Sequence, residues 1–397
     1  MPLSKSLDAI TEEDLLRLIS DKEIENKTIE YKKCLPIDFK NPELKNEFLR
    51  DVSSFANASG GDLIYGIEEK GGLPINLSGM VIPDDEIDGK KRQLEEIIRS
   101  TSNIDPRIPS LSIRPIKLQN KNYVIIIRIP RSWASPHMVK LQFPARERFI
   151  SRNSAGKYAL DVSELRNAFL LTDSIEERIR NFRLDRVSKI IAEETPIPLA
   201  IEPKVVLHII PIAAFGSSRI LVDVSSLSRI SSETGIQPIC PGYSGQRYNL
   251  DGYLLHDRPT GESYSYLQIF RNGIIESVDT KLIGGDQTIS GGSFDASVYR
   301  AIKNYLAFEK KAGIEAPYLI MLSLLKAQGC KLFLPFGRGA TNKPIDRDIL
   351  LVPEVMVDDS ESSLDGIIRP ILDSIWNATG YERSGSFDEE GKFKQIS

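Results

Sequence analysis

The sequence predicts an α+β protein: an N-terminal α/β domain with a mixed sheet, followed by a separate α+β domain. Three observations support this fold class. In the first half, amphipathic helical segments alternate with short apolar, strand-like runs. The second half has several strand-like segments and ends with helices. Between the halves, "TPIPLAIEP" (195–203) holds three prolines in nine residues, which helices avoid and linkers favour.

We therefore predict domains at 1–172 and 204–397, joined by a helix and the proline-rich linker at 173–203. A chain of 397 residues can bury two separate cores. No apolar run reaches the roughly 18 residues of a membrane span, and the N-terminus lacks the apolar core of a signal peptide. Three widely spaced cysteines form neither a disulfide framework nor a zinc motif. These features predict a cytoplasmic protein.

The first elements of the chain have local signals. A helix is predicted from Thr11 to Ile19, because Thr11 can cap it and Asp14 completes a capping box. The strand "TIEYK" follows. A second helix begins after its cap Asn41 and stops at a pair of glycines, after which "DLIYGIEE" is a strand. The apolar residues of this helix recur at helical spacing and are expected to face the core: Leu44, Phe48, Val52 and Phe55.

The later elements are predicted in the same way. A charged helix spans about 84–100, and the strands after it are "SLSIRPIKL", "NYVIIIRIP", "HMVKLQF" and "ERFISRN". Two helices, "DVSELRNAFLL" and "SIEERIRNFRLDRVSKIIAEE", close the region. In the second half, "YSYLQIFRNGIIESVD" is the clearest hairpin, because Asn272-Gly273 suits a tight turn. Helices are predicted for "FDASVYRAIKNYLAFEKKAG", "APYLIMLSLLKAQG" and "LDGIIRPILDSIWNATG".

The stretch "IENKTIEYKKC" (24–34) has a charge pattern that fits two kinds of strand. In an extended segment side chains alternate, so Glu30 and Lys32 point to one face while Ile29 and Tyr31 point to the other. A strand with one exposed, ordinary polar face has this pattern, and so does a metal-holding strand of a nuclease. We expect Glu25 and Glu30 to lie on an exposed polar face.

Four features, in order, resemble the Alba-like domain of the Schlafen family over roughly residues 15–170. They are "ENKTIEYK", in which Glu25, Glu30 and Lys32 stand as E-x4-E-x-K; "DVSSFANASGGDLIYGIEE"; "SPHMV" followed by "FISRNS"; and the helix "SIEERIRNFRLDRV". The resemblance implies one of two functions. One is a nucleic-acid-binding module, and the other is a metal-dependent endoribonuclease that uses three carboxylates on tRNA and rRNA.

The ribonuclease interpretation assigns roles to particular residues. Carboxylates would bind Mg²⁺ or Mn²⁺, because these hard cations prefer oxygen ligands, and a lysine would stabilise the charge that develops on the phosphate. The resemblance implies Glu25 and Glu30 as ligands and Lys32 as the cation. The third carboxylate is Glu68 or Glu69, where the family more often carries Asp, and the spacing leaves both open.

The stretch "KLQFPARERFISRNSAGKY" is the best candidate for a nucleic-acid groove. Cations contact phosphates, and aromatic side chains stack on unpaired bases. A solvated hairpin with core aromatics explains the pattern equally well, and a net charge of -4 does not exclude a local basic groove. The basic residues are Lys140, Arg146, Arg148, Arg152 and Lys157.

Other motifs favour structural roles. The glycines after the second helix match neither a phosphate loop nor a dinucleotide fingerprint, so an ATP-driven enzyme is not indicated. Phe55 and Asn57 are expected to be structural. His137 has no neighbouring metal ligands in sequence and is expected to shape the domain.

Two departures from the family bear on assembly. Animal Schlafens pair two such lobes in one chain and add a zinc finger, whereas this chain has one lobe and no cysteine–histidine cluster. A two-lobed groove would therefore require a homodimer. The C-terminal domain shows no catalytic constellation, and its aromatics could form a core or a partner surface: Tyr243, Tyr248, Tyr253, Tyr264, Tyr266 and Phe270.

We predict a metal-dependent endoribonuclease of structured RNA, with tRNA favoured and DNA as a further nucleic-acid partner. The C-terminal domain would sense a phage-derived or cellular trigger in antiviral defence. The alternative is a non-catalytic DNA- or RNA-binding regulator whose acidic residues are structural.

Overall fold

The computed structural model divides the chain into two compact units, Met1–Glu176 and Glu177–Ser397, and confirms the α+β class. It describes residues 5–394 apart from 6, 37–40, 109–110, 141–147, 155, 216–221, 259–260, 335–342 and 358–362. The division lies upstream of the proline-rich segment 195–203, which the sequence indicates as the linker. Ile197 and Ala200 of that segment are buried in the second unit.

The first unit contains helices and strands that are mostly short. Its helices are a 3₁₀ turn (Leu7–Ala9), α1 (Glu12–Ser20), α2 (Pro42–Ala56), α3 (Ile87–Arg99) and the beginning of α4 (Val162–Ile191). Its strands are β1 (Ile29–Lys32), β2 (Gly60–Tyr65), β3 (Glu68–Lys70), β4 (Leu73–Asn76), β5 (Ile104–Asp105), β6 (Ser112–Lys117), β7 (Tyr123–Pro130), β8 (Met138–Val139), β9 (Arg148–Asn153) and β10 (Gly156–Ala159).

These strands form two four-stranded sheets and a small hairpin. The first sheet has the order β1-β2-β7-β6, in which β1 and β2 are parallel and the other pairs are antiparallel. The second sheet is antiparallel and has the order β10-β9-β8-β5. Strands β3 and β4 pair only with each other among the described residues. The predicted mixed sheet is therefore present, at β1–β2.

Helices cover both faces of the first sheet. On one face, Leu15 and Leu18 of α1 share a core with Ile29 and Tyr31 of β1. On the other face, α2 packs through the segment from Phe48 to Ala56. α2 also contacts strands of the second sheet, so it lies between the two sheets. This placement brings strands of both sheets to one helix.

The predicted helix caps are present in the first unit, and two other helix predictions differ from the structure. Thr11 and Asp14 form the predicted capping box at α1, with Thr11 N donating to Asp14 Oδ2 over 2.9 Å. Asn41 caps α2. Leu44 is 36% exposed rather than buried, because it lies in the first turn of α2, ahead of the part that contacts the core. The two helices predicted after β10 are one helix, α4, since no glycine or proline separates them.

The second unit is built on a large antiparallel sheet. Its main strands run in the order β12-β13-β14-β15-β11-β17-β19, and β20 also pairs with β17. The strands are β11 (Lys204–Pro211), β12 (Gly245–Tyr248), β13 (Gly252–His256), β14 (Ser265–Phe270), β15 (Ile275–Asp279), β16 (Thr288–Ser290), β17 (Tyr318–Leu325), β18 (Lys331–Phe333), β19 (Ile349–Leu351) and β20 (Val355–Val357). Strands β16 and β18 form a separate parallel pair.

Helices cover the two faces of this large sheet as well. The helices on one face are α5 (Val224–Thr234), α6 (Gly291–Lys311) and α7 (Leu364–Ala378). The other face packs against Val187 and Ile190 of α4. A further 3₁₀ turn spans Ile212–Phe215. The predicted hairpin is present as β14 and β15, and Gly273 has a positive φ of 84° in its turn.

One predicted helix of the second unit is a strand. "APYLIMLSLLKAQG" contains β17, a central strand that is buried along its whole length. Its pattern is a continuous apolar run, because both faces of the sheet are covered, and such a run does not distinguish a buried strand from a buried helix. The prediction of a helix there was wrong.

A buried ion pair ties α4 to the large sheet of the second unit. Arg186 of α4 donates two hydrogen bonds to Glu276, at 2.7 and 2.8 Å, and His208 Nε2 lies 2.9 Å from the same carboxylate. Burial alone would raise the pKa of Glu276, but hydrogen bonds from Arg186 and His208 lower it to about 2. Of the aromatic residues singled out in this unit, Tyr253 and Tyr266 are core, whereas Tyr248 is exposed.

No helix among the described residues is both long enough and apolar enough to cross a membrane.

The first sheet has an internal ion pair whose removal tests the fold. Asp62 of β2 and Arg128 of β7 are register partners, both nearly buried, and Arg128 Nε donates to Asp62 Oδ1 over 2.7 Å. Asp62→Ala should lower the free energy of unfolding of the first unit by about 3–5 kcal/mol, because it leaves a buried guanidinium without its carboxylate. Urea denaturation measures the change in the free energy of unfolding, and hydrogen exchange of the β2 and β7 amides locates the change in the first sheet.

Asp84 provides the matched control. It pairs with Lys117 at 2.5 Å, but both side chains are exposed. Asp84→Ala should therefore have a much smaller effect than Asp62→Ala. Equal losses for the two variants would contradict the role assigned to the buried pair.

Candidate functional site

Strand β1 presents alternate side chains to two different environments. Ile29 and Tyr31 point into the core shared with α1. Glu30 and Lys32 point to the opposite face, toward α2, and Lys32 Nζ lies 2.9 Å from Glu30 Oε1. The predicted alternation of this strand is therefore observed.

Glu30 is buried, contrary to the expectation from the sequence. Its side chain is surrounded by cations from three strands: Lys32 of β1, Arg152 of β9 and Lys157 of β10. Arg152 Nη2 lies 2.8 Å from Glu30 Oε2, and Lys157 Nζ lies 3.7 Å from Glu30 Oε1. Glu30 is only 6% exposed. The expectation of an exposed polar face is wrong for this residue, because the second sheet covers it with its own basic side chains.

Asp51 of α2 is a second buried carboxylate at the same place. It is 1% exposed, forms an ion pair with Lys157, and lies 3.9 Å from Lys32 Nζ. We refer to Glu30, Lys32, Asp51, Arg152 and Lys157 together as the charge cluster. Asp51 was not predicted as a site residue. The available signal was a carboxylate within the stretch from Phe48 to Phe55, where the helix faces the core.

An aromatic ring supports Arg152 within the cluster. The guanidinium carbon lies 3.8 Å from the centroid of the Phe55 ring, which is a close cation–π contact. The same ring lies against β2, where a Cβ at Gly61 would approach Phe55 Cε1 to 2.6 Å. A side chain at Gly61 would therefore push the ring away. This explains Gly61 as a packing residue, in agreement with the structural interpretation of Phe55.

Burial and neighbouring charges shift the pKa values of Glu30, Lys32 and Asp51. Burial would raise the pKa of Glu30, but Lys157, Lys32 and Arg152 hold it below its ordinary value. Burial likewise opposes the charge on Lys32, yet Asp51 and Glu30 raise its pKa. Burial and the neighbouring Glu30 raise the pKa of Asp51. The protonation of these three groups therefore depends on their neighbours in the cluster.

The other predicted carboxylates lie beside the cluster, around the β3–β4 hairpin. Glu25 Oε1 accepts a hydrogen bond from Tyr31 N over 2.8 Å, and Glu69 Oε2 accepts one from Gly72 N over 2.7 Å. Burial raises the pKa of Glu25, and the charges of Glu30 and Glu69 raise it further. Glu68 instead pairs with Lys33 at 2.9 Å. Glu69 is thus the hairpin carboxylate that interacts with Glu25.

These carboxylates do not form a ready-made metal site. In the part of the chain that the structure describes, no three His, Cys, Asp or Glu side chains are grouped so that they could hold a metal ion. Both oxygens of Glu30 contact protein cations. Glu25 and Glu69 each use one oxygen for a backbone hydrogen bond. They are the pair whose like charges a bound cation would neutralise.

The predicted basic residues divide into several groups. Arg152 and Lys157 belong to the charge cluster, and Arg152 is too buried to present its guanidinium at a surface. Lys140 pairs with Asp105 at 2.9 Å. Arg148 is exposed at the start of β9, whereas Arg146 lies outside the described residues. Among the described members of this group, Arg148 is therefore the exposed cation.

Asn57 and His137 hold the second sheet next to α2. The Asn57 side chain donates to the carbonyl oxygens of His137 and Ile150, at 2.9 and 2.8 Å, and accepts from His137 N at 2.7 Å. The His137 ring is fully buried, and its Nδ1 lies 2.7 Å from the carbonyl oxygen of Pro106. Burial lowers the pKa of His137 to about 4. Both residues are in structural positions.

Comparison with known proteins identifies the N-terminal region. No curated protein matches the chain. Among solved structures, the chain matches the crystal structure of the DIP2311 protein from Corynebacterium diphtheriae with 12% sequence identity and a TM-score of 0.25. That match covers 93% of this chain and 62% of the other, so the chain spans less than two thirds of that protein's length, and a likeness this weak supports no conclusion.

A family model gives the specific result. Residues 25–161 match the model described as Schlafen, AlbA_2, and this range contains β1, α2 and every residue of the charge cluster. The match covers about a third of the chain and confirms the resemblance found in the sequence. The N-terminal region therefore contains a Schlafen AlbA_2 domain, which associates it with a nucleic-acid-related function.

Proposed function

We propose that the N-terminal unit is an endoribonuclease of Schlafen type that cleaves structured RNA, with tRNA as the favoured substrate and Mg²⁺ or Mn²⁺ as cofactor. The charge cluster is the observation that carries this proposal. Its two lysine amines come from β1 and β10, and their side chains are 30% and 28% exposed. Buried Glu30 and Asp51 hold them in place. Two fixed ammonium groups at a surface form a binding point for a phosphate.

The roles of the residues follow from their exposure. Lys32 and Lys157 contact the phosphate and stabilise the negative charge that develops on it during cleavage. Glu30 positions Lys32 and Arg152 and does not itself reach the substrate. A divalent ion would bind to Glu25 and Glu69 together with an RNA phosphate, since Mg²⁺ commonly uses one or two carboxylates plus a substrate phosphate. The ion would supply further positive charge to that phosphate.

The alternative is a non-catalytic DNA- or RNA-binding regulator. The observation that favours it is the pairing of both Glu30 oxygens with protein cations, which is what a purely structural carboxylate would show. Under this alternative the cluster binds phosphates without breaking them. The two functions differ in one measurable result, the production of RNA fragments.

The proposal extends to assembly and regulation of this protein in the cytoplasm. One AlbA_2 domain supplies one lobe, so we propose a homodimer, which light scattering of the full chain tests. We propose that the second unit senses a phage-derived or cellular trigger in antiviral defence. Its exposed Tyr243 and Tyr248 are available for a partner. Cleavage activity that rises on addition of an extract from phage-infected cells would support this role.

Glu25 provides the sharpest test of cleavage. Glu25→Gln keeps the size of the side chain and its ability to accept from Tyr31 N, but removes the charge that would hold an ion. The rate of tRNA cleavage should fall by about 100-fold or more, as for loss of a charge-stabilising group. RNA affinity, measured by fluorescence anisotropy, should stay the same or increase slightly, because a negative charge near the phosphate is lost.

One control and one alternative variant accompany Glu25→Gln. Glu43→Gln removes an exposed carboxylate from the first turn of α2 and should leave cleavage unchanged. Glu30→Gln is a less clean test, because it leaves buried cations uncompensated and should destabilise the unit. Cleavage by the Glu25→Gln protein at the parent rate would show that Glu25 is not part of the site.

Removal of divalent ions tests the cofactor. Cleavage by the parent protein should stop in EDTA and return when Mn²⁺ is added in excess, whereas RNA binding through lysine and arginine should persist in EDTA. Gel analysis of labelled tRNA and a parallel anisotropy measurement give both results. Cleavage that continues in EDTA would assign the chemistry to the charge cluster without an ion.

Arg148 tests the nucleic-acid surface. Arg148→Ala should weaken RNA binding and reduce the slope of log K against log salt by about one, since one fewer phosphate is neutralised. Arg17→Ala is the matched control, because Arg17 is an exposed arginine of α1, on the face of the first sheet opposite α2. Equal effects of the two substitutions would mean that Arg148 acts only through the overall charge of the protein, and not through a phosphate contact.

A further inference from the structure

A cavity of about 460 Å³ opens next to the end of β1. Its walls come from residues 33–36, residues 78–82, one side of α3, and Asn122. The volume lies within the roughly 300–1,000 Å³ range of small-molecule sites. None of the residues of the charge cluster lines this cavity, so it is a separate feature of the first unit.

The floor of the cavity is apolar. Met80 and Leu94 are buried, and Leu35 and Ile82 are half-buried. Val81 is 89% exposed and therefore lies at the rim of the cavity rather than in its floor. The apolar floor can accommodate a ligand with a flat or apolar part.

A glycine shapes one wall of the cavity. Gly79 has a φ of +62°, and a Cβ there would approach Asn122 Cβ to 2.7 Å. Only glycine fits this backbone beside Asn122 without displacement. The turn brings the amide of Asn122 to the cavity, where Gln93 of α3 supplies a second amide. The Asn122 amide nitrogen donates one hydrogen bond to the Ser78 carbonyl oxygen over 2.8 Å. Its second N–H and its oxygen, together with the Gln93 amide, supply a donor and acceptors of the kind that the edge of a base requires.

The charge of the lining is positive. Lys33 and Lys90 both line the cavity, and no Asp or Glu is among its described lining residues. Lys33 pairs with Glu68, whereas Lys90 forms no ion pair with the residues that the structure describes. An apolar floor, two amides and two ammonium groups match a ligand with an aromatic ring and a phosphate.

We propose that this cavity is a nucleotide subsite that takes one unpaired base of an RNA chain, with an adjoining phosphate at Lys33 and Lys90. The inference rests on the proposed function and specifies how the substrate is held. Lys32 and Lys33 are neighbours at the end of β1, and their side chains lead to the charge cluster and to the cavity respectively. An RNA strand that reaches the cluster can therefore place a splayed base in the cavity. Single-stranded RNA is recognised in this way, through splayed bases in pockets.

Cys34 supplies a built-in probe. It lines the cavity and is exposed, whereas Cys240 is partly buried and Cys330 is buried. The rate of alkylation of Cys34 by iodoacetamide, followed by mass spectrometry of the full-length protein digest, reports access to the cavity. AMP, GMP, CMP and UMP are tested in turn. At ten times its Kd, a nucleotide that fills the cavity should slow the alkylation about tenfold, because only the free protein reacts.

One lysine variant and one arginine variant form a matched pair. Lys90→Ala removes a cation that lines the cavity. It should weaken the apparent affinity of the nucleotide, measured from the protection of Cys34, by about fivefold or more. Arg92→Ala removes the same charge from the same helix, but Arg92 is exposed and does not line the cavity, so protection should be unchanged. Adenosine and inorganic phosphate alone should each protect less than AMP, because each lacks one half of the ligand.

The outcomes separate this proposal from the proposed function. The subsite is supported if a nucleotide protects Cys34 from alkylation in the parent protein and this protection is lost in Lys90→Ala. This holds even if no RNA is ever cleaved. If none of the four nucleotides protects Cys34, the subsite is overturned even if tRNA is cleaved. An equal loss of protection in Lys90→Ala and Arg92→Ala also overturns it. Protection by decanoate but by none of the nucleotides would also overturn it, since the cavity would then take an apolar carboxylate.

Discussion

Burial of the Glu30 carboxylate is the constraint on which the N-terminal unit depends. A charge removed from water must be neutralised locally, and here Lys32, Arg152 and Lys157 do so from strands β1, β9 and β10. These strands belong to two sheets, so the ion pairs fix the sheets against α2 and against each other. The same contacts hold two ammonium groups at the surface. Fold and site are therefore consequences of one electrostatic requirement.

Features that depend on neighbours in sequence were predicted well. The capping box at Thr11 requires only a side chain three residues away, and the β14–β15 hairpin requires only Asn272-Gly273 between two apolar runs. The alternation of β1 was also predictable, because a strand has a fixed period of two. For this reason the amino-acid pattern alone assigns Glu30 and Lys32 to one face.

Features that depend on distant residues were not predictable in this way. Asp51 and Lys157 are 106 residues apart in the chain, yet they form an ion pair. Whether Glu30 is exposed depends on the second sheet, whose position no local pattern specifies. Strand β17 was predicted as a helix, because burial on both faces removes the period that distinguishes the two. Long-range pairing, which short-range periodicity cannot encode, explains each of these differences.

The charge cluster also affects how the motif will change in evolution. A neutral residue at Glu30 would leave Lys32 and Arg152 as uncompensated cations in the interior, whether or not the domain cleaves RNA. Selection for folding alone would then preserve Glu30, together with its basic partners. Glu25 and Glu69 are less constrained, because neither neutralises a buried cation among the described residues. Substitutions should therefore accumulate at those two positions sooner than at Glu30 in any relative where only the fold is under selection.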